Sequence, residues 1–215
     1  MVFIFDFDGT LADSRECSLI ATRKAYFDLD LTVPSDETII YYMGIPIEKS
    51  FQAMAAEPLN DTDLAELITL FRILYKEYEQ EYIHVYDGIP EVLATLSKLD
   101  ACYVASSKHS NALLRNLTLI GIRDYFSDVI GADMVAEHKP NPESIFLLQQ
   151  RHHFPLERAV MIGDATFDLQ MGKAAGIKTC AVTWGSHSQE SLLAEEPTYL
   201  INNVMDLLTL KTMNG

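Results

Sequence analysis

The chain has 215 residues, and its 31 acidic side chains against 16 lysines and arginines give a formal net charge of −15. Such a charge repels nucleic acids and anionic membrane surfaces. No apolar run reaches the roughly 18 residues of a membrane-spanning helix. The sparse cysteines (Cys17, Cys102 and Cys180) lack a C-x-x-C spacing, and the opening "VFIF" has no basic flank. We therefore expect a cytoplasmic protein.

Short apolar runs alternate with helix-length segments along most of the chain. The predicted strands are "VFIFDF" (2–7), "ACYVAS" (101–106), "DVIGA" (128–132), "AVMIGD" (159–164), "KTCAVT" (178–183) and "TYLI" (198–201). Helical periodicity occupies 88–99, 110–121, 142–152 and 167–176. Strands that are apolar throughout and alternate with helices predict an α/β fold, a doubly wound parallel sheet with helices on both faces.

One long segment, 14–82, interrupts this alternation with helical patterning only. Apolar residues recur at spacings of three and four in 15–29 and in 61–82, and the turns "LTVPSDE" and "YYMGIPIEKS" subdivide the segment. An insertion of this length is too long for a simple crossover. We predict an α/β core formed by 1–13 and 83–215, and an all-helical cap subdomain formed by 14–82.

Polar side chains follow several predicted strands, at the edge where ligands bind in an open parallel sheet. Asp6 and Asp8 close the first strand, and a loop in "EHKPNP" brings Lys139 toward the same edge. Later strands end in Ser106, Ser107 and Lys108, and in Asp164 with Asp168 four residues further on.

Clustered carboxylates raise one another's pKa values unless a cation neutralises them. Hard oxygen ligands in this number suit Mg²⁺. A hydroxyl and an ammonium group beside such an ion are suited to phosphoryl transfer, which depends on positioning and charge neutralisation. Asp6 is placed to attack phosphorus, and Asp8 to donate a proton to the leaving oxygen and later to activate water.

Four motifs in order make the chain resemble the haloacid dehalogenase superfamily of phosphatases with an aspartate nucleophile. "DFDGT" matches D-x-D-G-T, "YVASSK" ends a strand in serine, "KPNP" supplies the lysine, and "GDATFD" matches G-D-x-x-x-D. The resemblance spans essentially the whole chain. It implies a Rossmann-like core, and the insertion between the first two motifs implies the helical-cap group.

The resemblance implies a catalytic role for four positions. Asp6 is expected to be the nucleophile that forms an aspartyl-phosphate, and Asp8 the general acid and base. Ser106 is expected to bind the transferring phosphoryl group, with neighbouring Ser107 as a competing candidate. Lys139 is expected to steady the phosphoryl oxygens and the nucleophile.

The resemblance also implies a metal site and its surroundings. Asp164 is expected to bind Mg²⁺, and Asp168 to bind it directly or through water. Gly9 allows a tight turn and Thr10 hydrogen-bonds in the same loop, so both are candidates for substrate binding. Arg15 is a candidate contact for a substrate anion or a solvated helix residue. The full expected metal set is Asp6, Asp8 (through its backbone carbonyl), Asp164 and Asp168.

Several alternatives share parts of this pattern. Haloacid dehalogenases lack the second aspartate of D-x-D, whereas Asp8 is present here. Sugar mutases of this group carry an arginine in the cap loop, where this chain has Ile47 and Glu48. Phosphate-receiver modules and regulators that have lost catalysis are the non-enzymatic alternatives. The chain looks most like phosphoglycolate phosphatases and pyrophosphatases, which implies a small phosphorylated substrate; its oligomeric state is not predicted.

Overall fold

The computed structural model describes residues 1–214, with side chains described for residues 1–210. Within that range the strands are β1 (Val2–Phe5), β2 (Ala12–Asp13), β3 (His84–Val85), β4 (Ala101–Ala105), β5 (Asp128–Ile130), β6 (Ala159–Gly163), β7 (Lys178–Val182) and β8 (Tyr199–Ile201). The α-helices there are α1 (Arg15–Asp28), α2 (Asp36–Tyr41), α3 (Ile47–Met54), α4 (Asp61–Tyr82), α5 (Ile89–Leu96), α6 (Ser110–Leu119), α7 (Glu143–His152), α8 (Thr166–Ala174) and α9 (Gln189–Ala194).

The larger sheet has the strand order β5–β4–β1–β6–β7–β8, and all of its pairings are parallel. The chain therefore starts in the middle of the sheet, builds one side with β4 and β5, and then builds the other side. This order places β1 at the point where the winding direction reverses, which is where open α/β sheets bind ligands. The predicted parallel α/β fold is confirmed.

Helices cover both faces of this sheet. Phe3 and Phe5 share one buried cluster with residues of α5 and α6, whereas Val2 and Ile4 share another with residues of α7 and α8. Alternate residues of β1 thus point to opposite faces, as in any extended strand. Because both faces are covered, the strand is apolar throughout its length.

The segment between β2 and β3 folds as α1 to α4. No strand occurs within 14–82, all of which the structure describes. Asn60 caps α4 by accepting hydrogen bonds from the backbone N–H groups of Thr62 and Asp63, both at 3.0 Å. The stretch "YYMGIPIEKS" is only partly the predicted turn, because α3 begins at Ile47 after a proline at its N-cap position. The division into two subdomains stays a prediction.

The two chain segments that enter and leave the helical insertion lie side by side. β2 and β3 pair in antiparallel fashion, with Ala12 opposite Val85 and Asp13 opposite His84. The resemblance to the helical-cap group also implies hinges near 11–14 and 82–86, and this pair falls inside those segments. Hinge motion there stays a prediction.

Candidate active site at the carboxyl ends of the central strands

The candidate site lies at the carboxyl ends of β1, β4 and β6, which are neighbours in the sheet. The backbone N–H of Asp6 donates to the carbonyl of Ile162 at 2.9 Å, which continues the β1–β6 ladder by one residue. The backbone N–H of Ser106 donates to the carbonyl of Ile130 at 3.0 Å. Hydrogen bonds to the neighbouring strands thus fix the backbone at Asp6 and at Ser106.

Lys139 joins two of the carboxylates. Its ammonium donates to Asp6 Oδ1 at 2.7 Å and to Asp168 Oδ1 at 2.6 Å, and all three side chains are buried. The second oxygen of Asp168 accepts a hydrogen bond from the backbone N–H of Ala165 at 3.1 Å. Lys139 therefore reaches the predicted edge from the loop before α7, and Asp168 holds it in place.

Asp6, Asp164 and Asp168 form a compact cluster, in which one oxygen of each lies within 4.8 Å of the others. Burial raises the pKa of Asp6 to about 7, although Lys139 opposes this rise. Burial and then the Asp6 charge raise the pKa of Asp164 to about 6, and burial also raises the pKa of Asp168. Burial alone would lower the pKa of Lys139, but Asp168 and Asp6 raise it.

The charge in this cluster is not balanced by protein groups. Three buried carboxylates face one ammonium, and a buried charge needs a partner to be stable. The cluster therefore lacks positive charge. The atoms available to bind a cation are hard carboxylate oxygens, which suit an ion such as Mg²⁺. The residues present therefore fit a divalent metal.

The loop after β1 and the loop after β7 hold Asp164 from two sides. Thr10 Oγ1 donates to Asp164 Oδ1 at 2.8 Å, and the backbone N–H of Ser186 donates to Oδ2 at 2.7 Å. Gly9 lies so close that an added Cβ would stand 2.2 Å from Asp164 Oδ2. Its φ of +79° is also one that glycine adopts most readily. Glycine at this position is required by the close approach of the carboxylate.

Asp8 lies on the cavity side of the site and has a different set of partners. Ser14 Oγ donates to Asp8 Oδ1 at 2.5 Å, and the Lys108 ammonium lies 3.2 Å from the same oxygen. Ser14 occupies the N-cap position of α1 but makes no side-chain cap hydrogen bond. The helix therefore lacks the stabilisation of a side-chain cap, because the Ser14 hydroxyl is hydrogen-bonded to Asp8 instead.

The two neighbouring serines after β4 differ in what their hydroxyls contact. Ser107 Oγ donates to the backbone carbonyl of Gly44 in the helical insertion at 2.7 Å. Ser106 Oγ accepts a hydrogen bond from the backbone N–H of Lys108 at 3.2 Å. Both residues line the cavity described below. The hydroxyl of Ser107 thus links the core to the insertion.

The substrate contacts expected of Arg15, Gly9 and Thr10 stay predictions. The Arg15 guanidinium donates to the carbonyl of Gly185 at 2.9 Å, and none of the three residues lines the cavity. They lie around Asp164 because the loop after β1 folds back under that carboxylate and α1 starts beside the loop after β7. In the structure, Thr10 and Gly9 contact or closely approach Asp164, and Arg15 holds the loop after β7.

A cavity of about 760 Å³ lies between the helical insertion and the edge of the sheet. The sheet side contributes Asp6, Asp8, Ser106 and Lys108, and the insertion contributes residues of α1 to α4 and of the 42–46 loop. The insertion thus covers the site, as a cap would.

Sequence reasoning missed the contacts that the insertion makes with the site. The sequence places Lys108 at a strand end, but it does not predict the pairing of this lysine with Asp8 or its hydrogen bond to Tyr75. Tyr75 occupies an apolar position of a periodic helix, and Gly44 lies in a turn. Neither carries a local sequence signal, because their role depends on how the insertion docks.

Comparison with known proteins agrees with this geometry. Residues 3–182 match the family model described as haloacid dehalogenase-like hydrolase. The probable phosphatase IndB of Dickeya dadantii is 33% identical over 95% of this chain and 90% of that protein. The pyrophosphatase PpaX of Bacillus velezensis is 31% identical over 95% of this chain and 93% of that protein.

A solved structure extends the likeness to three dimensions. The haloacid dehalogenase-like hydrolase SP0104 of Streptococcus pneumoniae superposes with a TM-score of 0.86 at 27% identity, covering 98% of this chain and 97% of that one. In the described part of this chain, no helix has both the length and the apolar character needed to cross a bilayer. The chain therefore belongs to the haloacid dehalogenase-like hydrolases, and within that family it is a phosphatase.

Proposed function

We propose that the protein is a Mg²⁺-dependent phosphomonoesterase that acts on a small phosphorylated metabolite through an aspartyl-phosphate on Asp6. The observation that carries this proposal is the Lys139 ammonium between Asp6 and Asp168, beside Asp164, with Asp6 itself lining the covered cavity. This arrangement joins a nucleophile, a fixed positive charge and a set of metal ligands. We also infer a cytoplasmic location from the sparse, buried cysteines.

In the first step the Asp6 carboxylate attacks phosphorus, and the bond from phosphorus to the ester oxygen breaks. Lys139 orients the Asp6 carboxylate from one side and favours its ionised form. Asp8, in its acid form, transfers its proton to the leaving oxygen, so that the alcohol departs neutral. The products of this step are the free alcohol and an Asp6 aspartyl-phosphate.

In the second step water attacks the phosphorus of the aspartyl-phosphate. The Asp8 carboxylate accepts the proton of that water, and the bond between phosphorus and Asp6 breaks. Inorganic phosphate leaves, and both aspartates return to their starting states. Ser14 and Lys108 hold Asp8 at the cavity wall, where it can serve in both steps.

Asp6, Asp164 and the backbone carbonyl of Asp8 are the proposed metal ligands. Asp168 is proposed to bind the metal directly or through water, and it also holds Lys139 by accepting a hydrogen bond from its ammonium. When bound, Mg²⁺ would neutralise charge on the transferring phosphoryl group and on these carboxylates. Of the two serines, Ser106 is the proposed phosphoryl ligand, because the Ser107 hydroxyl already donates a hydrogen bond to the backbone carbonyl of Gly44.

The proposal is tested by phosphate release from phosphoglycolate, pyrophosphate, hexose phosphates and nucleotides, with Mg²⁺ and with a chelator. We expect metal-dependent turnover that falls by at least about 10³-fold in Asp6→Asn, since nucleophilic catalysis is lost. The matched control is Asp124→Asn, which changes an exposed aspartate outside the site. Turnover that persists in the chelator or in Asp6→Asn would overturn the proposal.

A further inference from the structure

An aromatic wall runs along the cavity from the catalytic end into the helical insertion. Lys108, which lies 3.2 Å from Asp8 Oδ1, donates to the hydroxyl of Tyr75 at 2.7 Å. From Tyr75 the ring centroids continue to Phe71 at 5.4 Å and from there to Phe51 at 5.1 Å. All three aromatic residues line the cavity. The wall therefore begins beside the proposed acid and base and leads away from it.

A second apolar surface lines the cavity from the loop between α2 and α3. This loop is held at the site because the carbonyl of Gly44 accepts the hydrogen bond from Ser107 at 2.7 Å. Its neighbours Met43 and Ile45 are half-buried and line the cavity, together with Ile47 at the start of α3. A molecule held at Ser106 would thus extend past apolar side chains of the cap.

The cations that line this space are largely engaged by carboxylates. Within the described residues, Arg72 pairs with Glu48 at 2.8 Å and Arg115 pairs with Glu79 at 2.5 Å, while Lys108 pairs with Asp8. Lys76 also lines the cavity, but its side chain is exposed. A second anionic group on the substrate would therefore find little free positive charge near the catalytic end.

We infer that the physiological substrate is a phosphomonoester whose alcohol carries a bulky apolar body, aryl or alkyl, lying along the aromatic wall. This inference rests on the proposed function. A cavity of about 760 Å³ falls within the roughly 300–1,000 Å³ range of sites for ligands much larger than pyrophosphate or phosphoglycolate. Those two substrates would leave most of the apolar lining in contact with water, which is unfavourable.

The test is a homologous series of ethyl, butyl, hexyl and octyl phosphates, with phenyl and naphthyl phosphates, measured as kcat/KM with Mg²⁺. Burial of each methylene is expected to raise kcat/KM by about two- to fourfold until the cavity is filled. Phosphoglycolate and pyrophosphate serve as the small, charged comparison. We expect hexyl and aryl phosphates to exceed both.

The outcomes separate this inference from the function on which it rests. Suppose that kcat/KM stays constant or falls as the alkyl chain lengthens, while phosphoglycolate or pyrophosphate is still hydrolysed in an Asp6-dependent manner. This result would overturn the inference of an apolar substrate and leave the phosphatase mechanism intact. Absence of Asp6-dependent turnover on every compound would overturn the proposed function itself.

A pair of matched variants tests the location of the apolar body. Met43→Gln keeps the length of the side chain but makes it polar, and it should lower the ratio of kcat/KM for hexyl over ethyl phosphate by about fivefold. Met205→Gln is the control, because Met205 is 46% exposed and outside the cavity. An unchanged ratio in Met43→Gln, or an equal change in the control, would contradict the assignment.

Discussion

The ammonium of Lys108 lies 3.2 Å from Asp8 Oδ1, and it also donates to the hydroxyl of Tyr75 at 2.7 Å. A single side chain thus connects the strand-end loop, the proposed acid and base, and helix α4 of the insertion. Because Asp8 must stay within reach of the leaving oxygen, the position of this lysine bears directly on the chemical step.

Replacing Lys108 by methionine is predicted to lower kcat more than it raises KM. The change keeps most of the side-chain volume but removes the charge that fixes Asp8, and we expect kcat to fall by about 10- to 100-fold. Steady-state kinetics on any substrate that the enzyme hydrolyses measures the separate effects on kcat and on KM. Lys98→Met, which changes an exposed lysine, is the control; a kcat within about twofold of the parent would contradict the assigned role.

Replacing Lys139 by methionine is predicted to damage both activity and stability. Asp6 and Asp168 would each lose a buried ion pair, and breaking such a pair typically costs about 3–5 kcal/mol of unfolding free energy. Urea denaturation measures this loss. The double variant Lys139→Met with Asp168→Asn should recover part of the stability but none of the activity, since it removes one of the stranded charges. A stable single variant would refute the prediction.

Replacing Gly9 by alanine is predicted to weaken metal binding. Its Cβ would stand 2.2 Å from Asp164 Oδ2, so that the carboxylate must move. Gly121→Ala is a matched control, because Gly121 has a similar φ of +74° with nothing within 4 Å of the added Cβ. The control should lose about 1–2 kcal/mol of stability and keep its activity.

The measurement for this pair is a titration of activity with Mg²⁺. We expect the half-saturating Mg²⁺ concentration to rise by about 10- to 100-fold in Gly9→Ala and to stay unchanged in Gly121→Ala. Equal Mg²⁺ dependence in the two variants would show that the contact with Asp164 is not important for the metal.

Stability without metal is predicted to fall as the pH rises. The folded-state pKa is raised to about 7 for Asp6 and to about 6 for Asp164, above the unfolded value of about 4. Their contribution to stability is therefore complete below about pH 4 and is lost as the pH rises through the folded values. Thermal unfolding in a chelator should show a Tm several degrees lower at about pH 8 than at about pH 5.

Added Mg²⁺ should reverse this trend. A cation bound to the ionised carboxylates stabilises the folded state more at high pH than at low pH, because metal and protons compete for the same oxygens. The expected increase in Tm on adding Mg²⁺ is therefore larger at about pH 8 than at about pH 5. An equal increase at both pH values would argue against binding at Asp6 and Asp164.

The core of the fold was predictable because its strands are buried on both faces. Five of its strands begin at the predicted residue and end one or two residues early, and the sixth, β8, lies within "TYLI". The short strands β2 and β3 were missed, since two residues carry no periodicity. The start of α3 at Ile47 was also missed, because a helix of eight residues in a stretch with glycine and proline resembles a turn.

The convergence of Asp6, Ser106, Lys139 and Asp164 follows from topology, because the carboxyl ends of neighbouring parallel strands meet at one edge. The structure brings these residues together, whereas their catalytic roles stay predictions. The surroundings were not predictable to the same degree. Whether Arg15 faces the cavity or Gly185 depends on how α1 leaves the sheet, and nothing in the sequence near Arg15 encodes that direction.

The pairing of β2 with β3 has a consequence for how the insertion could be exchanged. Because Asp13 stands opposite His84, the chain leaves and re-enters the core at adjacent points. A short hairpin turn could replace everything between them and leave the strand order of the sheet unaltered. We therefore predict that the helical insertion can be exchanged for that of a related phosphatase, and that the substrate preference will change with the exchanged segment.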